Sequence, residues 1–588
     1  MDTSELRKLA ETWQRSDPDP TTAAELAALL QAEDAQSAAS LSDAFAMSLE
    51  FGTAGLRGIL GAGPNRMNRA VVRRTTAGLA RYLKQTVPDV TERGVVIGRD
   101  GRLMSAEFAE DAAAVLAAEG IPAHVFEDLA PTPLTAFTVI RLNAAAGIMV
   151  TASHNPPEYN GYKVYWGNGA QIVPPHDKGI AAAIEQVEPA NEVALIARGE
   201  AASRGLWRAV GQDTIEAYHS ALQDLRVHRR DQDALTIVYS AMHGVGGRWV
   251  VEAMKRAGFT RVHPVPEQQE PDGHFPTVRF PNPEEPGAMD LSIALAEKVG
   301  ADLVLANDPD ADRLAVLARD AAGKLVALTG NEVGVLLGHY LLSQDRGGAK
   351  GPPAVLTTIV SSSQLGEIAK AFNAKYDETL TGFKWIANRA MELEKSDGAR
   401  FLFGYEEALG YTVGTVARDK DGIGAALVFA DLAAWCAGQG TTVLGYLERI
   451  QRSYGLYVAS QVNFTLPGAE GLATIASIME AFRSRPPSKV GAHAIRVRRD
   501  YRERTSVEEG TTSKLSLPPS NVLSYTTETG ARITVRPSGT EPKIKYYFEH
   551  RETLNDDEPM ETARTRAAAK LKELETAFLL LAQERGQP

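Results

Sequence analysis

Apolar residues recur at three- and four-residue spacing in SELRKLAETW (residues 4–13) and TAAELAALLQ (22–31), which predicts a helical start to the chain. A different rhythm follows. GVVIGRD (94–100) is a short apolar run ending in polar residues, as a buried strand does. SAEFAEDAAAVLAAEG (105–120) returns to helical spacing, with Ser105 placed to cap its start and Gly120 to stop it. PAHVFEDL (122–129) and AAAGIMV (144–150) are the next strands. This β-α-β order implies a parallel sheet with helices on its faces.

The alternation recurs. LTIVYSAMHGVGG (235–247) runs a strand into a glycine-rich turn, and ADLVLANDPDADRLAVLARD (301–320) is strand, acidic loop, strand. After a candidate hinge, RGGAKGPP (346–353), AVLTTIVSSSQLGEIAKAF (354–372) is strand then helix, and RFLFGYEEALGY (400–411) is a strand ending in a charged loop. Beyond 456 the pattern changes: YVASQVNFTLPG alternates, AEGLATIASIMEAF is helical, ARITVRPSGTEPKIKYYFEH is strand, loop, strand, and a helix covers roughly 560–583. Four domains are expected: α/β units over 1–225, 226–345 and 346–455, and a smaller α+β domain over 456–588.

Composition narrows the class. The 588 residues are 44% hydrophobic and 23% charged, ordinary for a globular protein. A net charge of −12 argues against a nucleic-acid binder. The single cysteine, Cys436, excludes an intrachain disulfide framework and a cysteine-based metal site. The first residues lack an apolar signal core, and no apolar run approaches the ~18 residues of a membrane span. A cytoplasmic protein with no membrane or nucleic-acid partner is expected.

Chemistry concentrates in the loops. DPDADR places Asp308, Asp310 and Asp312 on alternate positions after a strand, with Arg313 beside them. Three carboxylates this close repel unless a cation neutralises them, and oxygen ligands suit Mg²⁺ or Ca²⁺ over zinc. A solvated acidic turn is the alternative. TASHNPPEYNGYK (151–163) sets Ser153 at a strand end, where α/β sheets hold ligands, with His154 and Lys163 as proton-transfer candidates. It has no G-x-S-x-G elbow, and taken alone the stretch favours a capping serine in an Asn-Pro turn. RPSGTEPK (536–543) combines Arg536, Ser538, Gly539, Thr540 and Lys543, the makings of a phosphate cradle without P-loop spacing. GYEEALG (404–410) offers Glu406 and Glu407 either to sugar hydroxyls or to a helix N-terminus. FGTAGLRG (51–58) sets Arg57 between glycines, TGFKWI (381–386) holds Thr381, Gly382 and Lys384, and ARDKDG (417–422) holds Arg418 and Lys420.

These loops, in this order, resemble those of the α-D-phosphohexomutase superfamily, the phosphoglucomutase and phosphomannomutase enzymes, from FGTAGLRG to RPSGTEPK. The resemblance implies three similar α/β domains with mixed sheets and a C-terminal α+β domain, heart-shaped around a central cleft. It implies that Ser153 carries the phosphoryl group and that Asp308, Asp310 and Asp312 bind Mg²⁺, with Ser153 supplying a further oxygen. Arg57, His154, Lys163 and Arg313 would surround the transferring group, with Lys163 as general base or acid. Glu406 would grip sugar hydroxyls, Thr381, Gly382, Lys384 and Lys420 would line the same cleft, and Arg536, Ser538, Gly539, Thr540 and Lys543 would hold the phosphate at rest. The expected reaction interconverts α-glucose 1-phosphate and glucose 6-phosphate through a glucose 1,6-bisphosphate that turns over in the cleft, the last domain moving with it. Ala408 stands where many members carry serine, and EEALGY with RDKDG is similar to a phosphoglucomutase-2-like subgroup. That subgroup opens two alternatives, a phosphopentomutase and a glucose 1,6-bisphosphate synthase; an inactive sugar-phosphate-binding protein is disfavoured by the intact Ser153, aspartates and Lys163.

Overall fold

The computed structural model describes residues 3–32, 34–45, 47–52, 55–345, 351–466, 468–538, 543–555 and 557–586. The chain divides into two compact units, one of residues 1–330, 383–395 and 401–443, the other of 331–382, 396–400 and 444–588.

In the first unit the helices Thr3–Ser16, Pro20–Gln31 and Ala35–Phe45 bury Leu6, Leu26, Leu41 and Phe45 in a small core of their own. The first sheet has six strands in the order Leu56–Ile59, Tyr159–Trp166, Ala146–Val150, Val95–Arg99, Ala123–Val125, Trp207–Ala209. Its last four are mutually parallel, as the β-α-β pattern requires, and its first two are antiparallel additions. The reason lies in the connection: only residues 151–158 separate Ala146–Val150 from Tyr159–Trp166. A parallel crossover needs a dozen or more residues, so this link must turn the chain straight back. The sheet is therefore mixed, and Lys163 lies opposite Met149 on the returning strand.

Ser105 does not cap the helix that follows Val95–Arg99. Met104, in a left-handed conformation (φ 65°), occupies the cap and Ser105 is the first helical residue of Ser105–Ala118. Its hydroxyl is drawn away to Asp100 Oδ1 at 2.8 Å.

The second sheet of this unit runs Leu325–Leu328, Ala315–Arg319, Leu303–Ala306, Ile237–Ser240, Val262–Pro264. Leu303–Ala306 is parallel to Ile237–Ser240 and antiparallel to Ala315–Arg319, so the acidic loop is the turn of a hairpin at a strand's carboxyl end. The helix Gly422–Gly438 is buried along nearly its whole length, and Asp421 caps it by accepting from Ile423 N at 3.0 Å and Gly424 N at 2.8 Å. No single helix among the described residues is long and apolar enough to cross a membrane.

In the second unit Pro353–Thr358 and Lys375–Thr379 pair in parallel across the helix Gln364–Ala371. The C-terminal sheet is antiparallel, in the order Leu456–Thr465, Lys543–Glu552, Arg532–Pro537, Leu523–Thr527, His493–Asp500, Thr505–Glu508, Thr511–Lys514. The helices Gly468–Ser484 and Met560–Gln583 supply Phe482 and Phe578, which stack 5.2 Å apart in its core. This is the α+β arrangement that the separated strand and helix patterns predict. The candidate hinge at 346–353 falls mostly outside the described residues.

Candidate active site

The acidic loop is shaped by its own backbone and by two neighbours. Ala311 adopts a left-handed conformation (φ 59°) and its N–H donates to Asp308 O at 2.9 Å. Val245 N donates to Pro309 O at 2.8 Å, and Gly422 N donates to Ala311 O at 3.2 Å. Gly244 makes the first of these approaches possible, since a Cβ there would run into Pro309 Cα.

So held, Asp308, Asp310 and Asp312 are completely buried, and one carboxylate oxygen from each lies within 4.8 Å of the others. Asp308 Oδ1 accepts from Arg313 N at 3.0 Å, and Asp308 Oδ2 accepts from Ser153 Oγ at 2.9 Å. Asp310 Oδ2 accepts from Lys163 Nζ and from Thr132 Oγ1, both at 2.7 Å. Asp312 Oδ2 accepts from Lys163 Nζ at 3.0 Å and pairs with Lys420 Nζ at 3.2 Å. Asp310 Oδ1 and Asp312 Oδ1 have no hydrogen-bond partner although both are buried. Buried carboxylate oxygens without a partner are costly unless something cationic meets them. Three clustered carboxylates with two orphaned oxygens fit a hard divalent ion, so the triad can hold a metal. The solvated-turn alternative fails because the loop is not solvated.

The charges set one another's protonation. Burial, then Asp310 and Asp312, push the Asp308 carboxyl well above the usual range. Burial would raise Asp312 too, but Lys163, Lys420 and Arg313 outweigh it and hold that carboxyl low. Burial alone would depress Lys163, and Asp310 with Asp312 more than reverses this, so the amine is held as an ammonium. Lys420 is raised in the same way by Asp312 and Asp419.

Ser153 sits in the left-handed region (φ 55°), in the turn expected of Asn-Pro but capping no helix. Its hydroxyl is also 3.2 Å from His154 Nδ1. Burial, then Arg313 and Arg57, push the imidazole far down, so it is neutral near pH 7. Arg57, on the edge strand opposite Gly161, donates to Asn155 Oδ1 at 3.2 Å. Arg313 lies 3.9 Å from Asp308 Oδ2 and 3.8 Å from Glu284 Oε2.

Glu406 is buried at the end of Arg400–Glu406, opposite Gly410 of Gly410–Val413. The pair Glu406–Glu407 therefore turns a hairpin, and its alternative place at a helix N-terminus is overturned. Lys384 is buried, and this desolvation, partly offset by Asp177, lowers its amine to about 8. Arg418 pairs with Glu394 at 2.8 Å and takes no part in the cluster.

The remaining sites belong to the second unit. Ser538 N donates to Lys543 O at 2.7 Å, and Arg536 lies opposite Lys545. Gly539 and Thr540 lie outside the described residues. Thr381 Oγ1 is buried without a hydrogen-bond partner, and Gly382 has φ 120°.

Several polar residues at the site had no signal in the sequence pattern. Thr132 grips Asp310 with its N–H at 3.0 Å as well as its hydroxyl. Asp419 Oδ2 accepts from Tyr165 Oη and Gln171 Nε2, both at 2.7 Å, beside Lys420. Asp100 and Arg102 lie under the Ser153 turn. Only the position of Asp100, just past a strand's carboxyl end, offered a hint.

The architecture is that of a sugar-phosphate mutase. Four segments match, in order, the phosphoglucomutase/phosphomannomutase domains: α/β/α domain I over 48–191, II over 216–323, III over 329–453, and the C-terminal domain over 462–558. The chain belongs to this phosphoglucomutase/phosphomannomutase family, whose members here are phosphohexomutase-type enzymes. It is 40% identical over 533 residues to a phosphopentomutase of Homo sapiens, covering 86% of this chain and 85% of that one. It is 37% identical over 572 residues to a glucose 1,6-bisphosphate synthase of Homo sapiens, covering 91% and 88%. The fold is shared with the open form of the phosphoglucomutase parafusin from Paramecium, at TM-score 0.67 and 19% identity, over 92% of this chain and 97% of that one.

Proposed function

We propose that this enzyme interconverts α-D-aldose 1-phosphates and their terminal phosphate esters through a phosphorylated Ser153 and a sugar bisphosphate. The observation that carries the reading is the 2.9 Å hydrogen bond from Ser153 Oγ to Asp308 Oδ2, which joins two loops 155 residues apart in one buried site.

In the forward half-reaction the bond between phosphorus and Ser153 Oγ breaks and a bond to a sugar hydroxyl oxygen forms. The sugar hydroxyl loses its proton and Ser153 ends as a hydroxyl. In the second half the other phosphate returns to Ser153. Transfer of this kind needs positioning and charge neutralisation more than covalent help. Asp308, Asp310 and Asp312 would hold Mg²⁺, which supplies charge neutralisation on the transferring oxygens. Arg57 and Arg313 stand on the Ser153 side to bind phosphate oxygens, Arg313 with a fork suited to them. Lys163, held as an ammonium by two carboxylates, suits the role of proton donor to the sugar oxygen that loses its phosphate, and the amine so formed takes the sugar hydroxyl's proton in the half-reaction that phosphorylates it, while the serine proton is exchanged with His154. Neutral His154, with Nδ1 3.2 Å from Ser153 Oγ, suits the converse role of accepting the serine proton when phosphate returns. This divides the acid and base work that the family resemblance assigns to Lys163 alone. Arg536, Ser538, Gly539, Thr540 and Lys543 are assigned to the resting phosphate, and Thr381, Gly382, Lys384, Glu406 and Lys420 to the sugar.

Glucose 1-phosphate to glucose 6-phosphate is the first reaction assigned, with glucose 1,6-bisphosphate as intermediate; the relative named glucose 1,6-bisphosphate synthase supports a hexose at this site. The relative named phosphopentomutase favours ribose 1-phosphate to ribose 5-phosphate as a second reading. Ala408 offers the sugar no hydroxyl, and a lost neutral hydrogen bond is worth about 0.5–1.5 kcal/mol, so the loop admits both sugars. Coupled assays with each 1-phosphate, Mg²⁺ and a trace of the matching bisphosphate test this. Turnover of glucose 1-phosphate is expected, and the ratio of kcat/KM values ranks the sugars. No turnover of either would overturn the proposal.

A further inference from the structure

Ser153 is held in a conformation that a non-glycine residue rarely adopts, and the residues that hold it lie outside the reacting set. The side chain of Arg102 is 1% exposed. Its Nη1 donates to Pro156 O at 2.8 Å and to Tyr159 O at 3.1 Å, and its Nη2 donates to Ser153 O at 2.6 Å and also to Asn155 O. One guanidinium thus collects four carbonyls of the turn that presents Ser153. Its Nε lies 3.4 Å from Asp100 Oδ2, and its planar face is covered by the Phe275 ring, with the centroid 4.9 Å away. Asp100 is anchored in turn by Ser105 Oγ at 2.8 Å and by Arg102 N at 3.0 Å. The free edge of Ser153 is closed from the other side, where its N–H donates to Thr151 Oγ1 at 2.9 Å.

We infer that Arg102, oriented by Asp100 and roofed by Phe275, is a positioning residue that holds the 153–159 turn in the strained form needed to aim Ser153 Oγ at the acidic loop. The chemistry requires a fork. Four carbonyls pointing inward would repel one another and have no water to meet. A planar group with five N–H donors can answer them together, and a lysine ammonium cannot reproduce that spread. Left-handed backbone at a non-glycine residue persists only where its surroundings over-determine it. Arg102 touches no reacting atom, so its effect is on the placement of Ser153, and a misplacement of about 1 Å costs about 100-fold in rate.

The inference rests on the proposed role of Ser153, and the experiment separates the two. Wild type, Arg102→Lys, Arg102→Ala and Phe275→Leu are mixed with glucose 1,6-bisphosphate and Mg²⁺. Phosphorylation of the Ser153 peptide is followed by rapid quench and mass, and amide hydrogen exchange is measured across the chain. A wild type that never gains phosphate on Ser153 refutes the phosphoserine reading. Given a phosphorylated wild type, the expected result is a phosphoryl-transfer rate about 100-fold lower for Arg102→Ala, with KM changed far less. Arg102→Lys should be intermediate, and exchange should quicken in residues 153–160 but not in the strand Val95–Arg99. Free guanidinium should restore part of the Arg102→Ala rate. If Arg102→Ala does not fold, Arg102→Lys and Phe275→Leu decide. Folded variants with wild-type transfer rates and unchanged exchange at 153–160 overturn the inference.

Discussion

Replacing Lys163 by Met keeps most of the length of the side chain and removes the charge on which the acidic loop leans. Lys163 Nζ lies 2.7 Å from Asp310 Oδ2 and 3.0 Å from Asp312 Oδ2. Without it, Lys420, 3.2 Å from Asp312 Oδ2, is the ammonium left in ion-pair contact with the triad among the described residues, and the Asp310 carboxylate keeps the Thr132 hydroxyl, the Thr132 N–H being spent on the Asp310 carbonyl. At an effective dielectric of about 20, one charge contact of this length is worth about 6 kcal/mol before desolvation. After desolvation, removing one partner of a buried pair costs about 3–5 kcal/mol. For a folding unit of about 390 residues, whose unfolding entropy is about 2.1 cal/mol/K per residue, each kcal/mol moves the melting midpoint by about 1.2 °C, so the transition of the first unit should fall by about 4–6 °C in metal-free buffer. A divalent cation should then recover more of the loss in the variant than it adds to wild type, because it supplies the missing positive charge. At about 100 times its Kd, bound cation contributes about 2.7 kcal/mol. Differential scanning calorimetry with EDTA and with MgCl₂ reads both effects. A metal-free midpoint within about 2 °C of wild type, or a magnesium response no larger than that of wild type, would refute the reasoning about the cluster.

Ser153→Ala should fold normally and lose at least about 1,000-fold in kcat on any sugar 1-phosphate, as removal of a covalent nucleophile does; coupled assay checks it. Gly55→Ala should lower kcat/KM at least about 10-fold, because Gly55 has φ 95° and a Cβ there would collide with the Tyr162 carbonyl, shifting the strand that carries Arg57. Asp421→Ala should cost about 1–2 kcal/mol in urea unfolding by uncapping Gly422–Gly438, whereas Asp421→Asn, which keeps an acceptor, should cost less. Lys384, at about 8 when folded against an ordinary 10.5, binds its proton more weakly folded than unfolded, so its contribution to stability rises with pH across that interval. The midpoint of Lys384→Met relative to wild type should accordingly be highest near pH 7.5 and fall by pH 10, and a pH-independent difference would refute it.

The candidate reacting residues were legible because their chemistry is local in sequence. Three aspartates in DPDADR state a charge problem within five positions, and Ser153 with Lys163 lies on a single turn and its returning strand. The fold class was legible for a similar reason, since helical spacing and strand length are read over a few residues. What could not be read depends on tertiary closure. Thr132 meets Asp310 across 178 residues, Tyr165 meets Asp419 across 254, and Arg102 meets the Ser153 carbonyl across 51. Each is an ordinary polar residue at an unremarked position, and only packing gives it a role. Ser105 failed in the opposite direction: its type suits a helix cap, but buried Asp100 competes for the hydroxyl and wins, leaving Met104 in the cap.

The central claim is that Ser153 is a reusable phosphoryl carrier, and peptide mapping after brief exposure to glucose 1,6-bisphosphate and Mg²⁺ tests it most directly. The account predicts a gain of about 80 Da on the peptide holding Ser153, lost again when glucose 1-phosphate is added in excess. Turnover of sugar phosphates with the Ser153 peptide never modified, or with the phosphate on another residue, would contradict it.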